Sequence, residues 1–121
     1  MFQKLECVCI YTADITASLA FYTALGLTED WRIERTSEAG VASSLIGLKF
    51  PDAHSSEMVL SNNADVTFTE IEIHVGDVRE TYAALSANPQ VEWIRTPFAT
   101  ESGHVAVMEA PDKNVFVLVG S

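Results

Sequence analysis

The chain has 121 residues, of which 48% are hydrophobic and 20% charged, enough for one compact globular domain with a real core. Seventeen acidic residues against seven basic ones give a formal net charge of −10, a surface that repels phosphate backbones and argues against nucleic acid as a partner. No apolar run approaches the roughly 20 residues of a membrane span, and MFQKLECVCIYTAD lacks signal-peptide architecture, so no membrane and a cytoplasmic location are expected.

The first predicted element is a strand that ends near Tyr11. Asp14 follows, placed to cap a helix whose apolar stripe is Ile15, Leu19 and Tyr22, and Gly26 supplies a left-handed stop. Strands are predicted at about 28–35, 41–48 and 57–61. A strand then begins at Glu70. Asp77 caps a second helix, Glu80 completes a capping box, and Val78, Tyr82 and Leu85 form the stripe. Asn88-Pro89 ends it, and strands at about 91–96, 104–109 and 114–119 close the chain.

The two halves match. Asp77 follows Asp14 by 63 residues, Trp93 follows Trp31 by 62, and Pro111-Asp112 follows Pro51-Asp52 by 60. Each half reads β-α-β-β-β. The expectation is a single domain over residues 1–121, with module one at about 1–63 and module two at about 64–121. Strand side chains alternate faces. Val8 and Ile10, like Ile71, Ile73 and Val75, form an apolar face for the module's own helix. The opposite face carries Cys7, Cys9 and Tyr11 in one copy and Glu70, Glu72 and His74 in the other. One module alone has a thin core, so two are expected to curl their sheets into a shared cup lined by these variable faces. The fold class expected is α+β, a cup-shaped and mostly antiparallel sheet built from two βαβββ modules. Cys7 and Cys9 lie about 7 Å apart at i and i+2 of a strand, too far for an unstrained disulfide between them.

The stretches CVCIYTADITASLAFYTALGL, IEIHVGDVRETYAAL and APDKNVFVLVG resemble the vicinal oxygen chelate superfamily, the glyoxalase/bleomycin resistance/dioxygenase group, over nearly the whole chain. The resemblance implies paired βαβββ modules around a small-molecule site, and commonly a homodimer. It also implies a divalent ion held, in metal-dependent members, by His or Gln and Glu side chains on the first and last strand of each module. Counting from Asp14, Asp77 and the Pro-Asp pairs gives Cys7, Glu57, Glu70 and Val117 as the equivalent positions, with Val59 or Leu60 as alternatives to Glu57. The usual first histidine is absent, and valine ligates nothing, so the expectation is no metal and no cofactor.

Several residues carry two readings each. Cys7 and Cys9 are apolar filler or cavity-lining thiols. Glu70, Glu72 and His74 are a solvated face or ligand contacts, with His74 able to act as an acid or base. Trp31 and Trp93 are core residues or two aromatic walls, joined by Tyr11 and Phe98. Arg95 offsets Glu92 or clamps an anionic group. His104 lies at a strand start near a rim, and His54 reads as a surface residue. Three functions follow: a metal-free small-molecule binder such as a drug-sequestering protein, a lyase, isomerase or dioxygenase with a variant metal site of Cys7, Glu57 and Glu70, or a regulatory module with a filled cup.

Overall fold

The computed structural model describes residues 1–121. The elements are β1 (Lys4–Tyr11), α1 (Ile15–Ala24), β2 (Thr28–Thr36), β3 (Ala42–Lys49), β4 (Glu57–Ser61), β5 (Glu70–Gly76), α2 (Val78–Leu85), β6 (Glu92–Thr100), β7 (Gly103–Glu109) and β8 (Val115–Gly120). This is βαβββ twice, an α+β architecture. Strand β6 extends past the predicted end and carries Pro97 within it. It tolerates the proline because it is an edge strand, where a missing N–H need not leave a partner unsatisfied. No helix is long and apolar enough to cross a membrane.

Two compact units emerge, and their boundary differs from the predicted midpoint. Cys7–Thr69 forms one, and Met1–Glu6 with Glu70–Ser121 forms the other. The first six residues join the second half because they bond there. The Gln3 N–H donates to the His74 carbonyl at 2.8 Å, and the Phe2 ring meets Phe116 edge-on at 5.6 Å. In the first unit the strand order is β2-β3-β4-β1, with β1 and β4 parallel and the other pairs antiparallel. In the second it is β5-β8-β7-β6, with β5 and β8 parallel and the rest antiparallel.

Each helix is seated as the sequence pattern requires. Asp14 Oδ1 accepts from the Ala17 N–H at 3.1 Å, which supplies one of the free donors of the first turn. At the other end Gly26 adopts φ 105°, and the Leu27 N–H donates back to the Tyr22 carbonyl at 3.2 Å. Ile15, Leu19 and Tyr22 pack on Ile46, Leu48 and Leu60. In the second unit Asp77 Oδ1 accepts from the Glu80 N–H at 3.0 Å. The return bond from the Glu80 side chain is not made, so half of the predicted capping box forms. Val78, wholly buried, packs with Leu85 against Ile73, Val75, Ala106, Met108 and Leu118.

Candidate functional site

Residues paired across a ladder share a face, so the strand registers assign the lining. In the first unit one row reads Cys9, Val59, Gly47, Trp31 across β1, β4, β3 and β2. Cys7 stands opposite Glu57, Cys9 opposite Val59 and Ile10 opposite Leu60. Tyr11 pairs with Ser61 on the same face. Cys7 and Cys9 form no disulfide; each is 4% exposed and packs with Val59, Leu45 and Trp31. The Trp31 indole lies across Gly47, where an added Cβ would sit 2.1 Å from Cε2 and Nε1. Its Nε1–H donates to Glu57 Oε1 at 3.4 Å. A glycine inside a strand is the sequence signal for such a close approach, and sequence reading alone passed over it.

In the second unit the corresponding row is His74, Val119, Val105, Phe98 across β5, β8, β7 and β6. The next row is Glu72, Val117, Val107, Arg95. Val105, Val107 and Val119 are half-buried and form an apolar floor that the protein covers only in part. The Arg95 guanidinium stacks over the Phe98 ring, 3.9 Å from its centroid. Beyond Val105 and Val119 the floor opens into a cleft of about 250 Å³, lined by Glu6, His74, Thr100, Ser102 and His104. His104 Nδ1 is buried there without a hydrogen-bond partner. Glu6, Thr100 and Ser102 are lining residues that no motif announced.

In the second unit Glu72 stands opposite Val117, and Glu70 lies two residues earlier on the same face of β5. One sequence expectation needs correction: Trp93 is no wall matching Trp31. It pairs with Met108 and packs on the helix side against Tyr82, with ring centroids 4.7 Å apart. By ladder position the counterpart of Trp31 is Phe98. His54 is exposed, as expected.

The metal positions of the resembling family can now be tested residue by residue. In the first unit they are a buried thiol, Cys7, and a carboxylate, Glu57, that accepts from Trp31. In the second they are a carboxylate, Glu70, on β5 and Val117 on β8, which has no donor atom. No imidazole stands at any of these positions, and no three or more His, Cys, Asp or Glu side chains gather in a group that could hold an ion. This donor set does not fit the imidazole and carboxylate ligation that nickel, iron or manganese favours.

Comparison with known proteins places this geometry. The family model described as the Glyoxalase/Bleomycin resistance protein/Dioxygenase superfamily matches residues 4–118. No curated protein matches the chain. A hypothetical protein from Bacillus halodurans superposes with a TM-score of 0.74 at 17% identity, covering 98% of this chain and 94% of that one. Methylmalonyl-CoA epimerase from Mycobacterium tuberculosis gives 0.72 at 14% identity, covering 98% and 88%. A Streptomyces coelicolor methylmalonyl-CoA epimerase in complex with 2-nitronate-propionyl-CoA gives 0.71 at 17% identity, covering 100% and 96%. At such identities the likeness is one of fold.

Proposed function

The chain belongs to the glyoxalase/bleomycin resistance protein/dioxygenase superfamily, and from that premise we propose that it is a small-molecule binder that works without a metal ion. The observation that carries the reading is the donor set at the positions where metal-dependent members hold an ion: Val117 has no donor atom, and no three possible ligands gather in a group. What the faces offer instead is apolar surface with a few placed polar groups. The first unit has Trp31 with Glu57, and the second has a valine floor with Arg95 and His74. Such surfaces hold ligands by burial and fix their orientation by a small number of hydrogen bonds. Drug sequestration needs nothing more, because no bond is made or broken.

The test combines metal analysis with thermal-shift screening. Protein purified without chelator is expected to hold less than roughly a tenth of an equivalent of nickel, iron or manganese. Bleomycin-like and aromatic antibiotics are the first ligands to screen. At about 100 times its Kd a ligand stabilises by about 2.7 kcal/mol, a shift of several degrees in Tm. The second reading, a metal-dependent lyase, isomerase or dioxygenase, draws on the thiol of Cys7 facing the carboxylate of Glu57 across β1 and β4. A stoichiometric ion together with turnover of a substrate would establish it in place of the first.

A further inference from the structure

We propose that the face of the second unit takes an amphoteric chain-like ligand, with a carboxylate at Arg95, an apolar body over the valines and an ammonium group in the cleft beyond them. This deepens the binder reading and rests on it.

Arg95 is the starting point. The chain has ten more acidic than basic residues, yet no carboxylate pairs with this guanidinium. Its partner is the Phe98 ring at 3.9 Å. Stacking fixes the plane of the fork and leaves its edge N–H groups free, an arrangement suited to bidentate capture of a carboxylate. Arg95 shares a ladder row with Val107 and Val117, and Phe98 shares the next with Val105 and Val119. The apolar surface therefore runs along the strands, away from Arg95 and toward the cleft. From Val107 to Gly103 is four residues of β7, about 13 Å of extended strand.

The far end has the opposite chemistry. Glu6 and His74 line the cleft with Thr100 and Ser102. Glu6 has one ion-pair neighbour, Lys4 Nζ at 3.6 Å. A carboxylate, an imidazole and two hydroxyls all offer acceptors, so they suit a group with several N–H donors. Long-range electrostatics point the same way. A simple anion meets the repulsion of the net charge of −10, while a ligand carrying both signs does not.

The probes are 8-aminooctanoate, octanoate and octylamine, titrated calorimetrically into the full chain and into Arg95→Gln and Glu6→Gln variants. The amino acid is expected to bind at least about tenfold more tightly than either single-ended probe. Arg95→Gln is expected to weaken 8-aminooctanoate and octanoate about tenfold and to leave octylamine unchanged. Glu6→Gln is expected to weaken 8-aminooctanoate and octylamine and to spare octanoate. Arg95 is exposed, and an unchanged Tm will show that its variant is folded. If none of the probes binds, or if the single-ended probes bind as tightly as the double-ended one, the inference is wrong. It is also wrong if Arg95→Gln loses nothing. In each case the binder reading survives where a ligand in the thermal-shift screen still stabilises the protein. That reading fails separately, on a bound ion with turnover.

Discussion

A methyl group at position 47 and the indole of Trp31 cannot occupy the same space. The added carbon would come within 2.1 Å of the ring, so Gly47→Ala must push Trp31 off its strand. Displacing a packed side chain in this way costs typically about 1–3 kcal/mol. The expected outcome is a stability loss of that size in urea. It should come with a changed tryptophan emission, read in a Trp93→Phe background, because the Nε1–H bond to Glu57 goes with the ring. Trp93 teaches the complementary lesson. In sequence the two tryptophans look equivalent, yet they face opposite sides of their sheets. An odd slip in register turns a side chain over, and no residue near Trp93 announces it. Elsewhere a local pair shifts a titration: the hydrogen bond from the Arg32 side chain to Glu29, at 2.8 Å, lowers the pKa of that exposed carboxyl.

At the scale of elements, both helices were legible because capping and periodicity are local. Asp14 and Asp77 act where the pattern placed them. Asp77→Ala and Asp14→Ala are each expected to cost about 1 kcal/mol, measured by urea unfolding at neutral pH. The Asp77 variant should lose more, because α2 buries Val78 and Thr81 while no residue of α1 is fully buried. Strand pairing is not local, and there the reading was partial. Alternation alone places Ile10 of β1 and Ile71, Ile73 and Val75 of β5 on the helix side, where they pack. That Glu72 stands beside Val117 is set by the pairing of β5 with β8, which no local pattern carries.

For the molecule as a whole, the duplicated βαβββ pattern could be read from turn residues and apolar alternation, and the family match over residues 4–118 agrees. The cleft could not be read, because Glu6 comes from the start of the chain and Thr100 and Ser102 from a hairpin. Net charge makes its own prediction. With 17 acidic and 7 basic side chains, like charges repel across the folded surface, and salt screens them. Raising sodium chloride from about 10 mM to about 200 mM shortens the Debye length from about 30 Å to under 10 Å. Tm, followed by circular dichroism, is expected to rise over that range.

The two ends of the polypeptide both finish on β5. The Gln3 N–H bonds to the carbonyl of His74, and the Ser121 N–H bonds to that of Gly76. Gln3 and Ser121 are thus held two residues apart on β5 within one unit, and a short peptide tether between the ends would disturb no strand. A circularly permuted gene opened in the turn at 62–69 would read residues 70–121, the tether and then 1–6 without interruption. It would make continuous in sequence a unit that the present gene order splits.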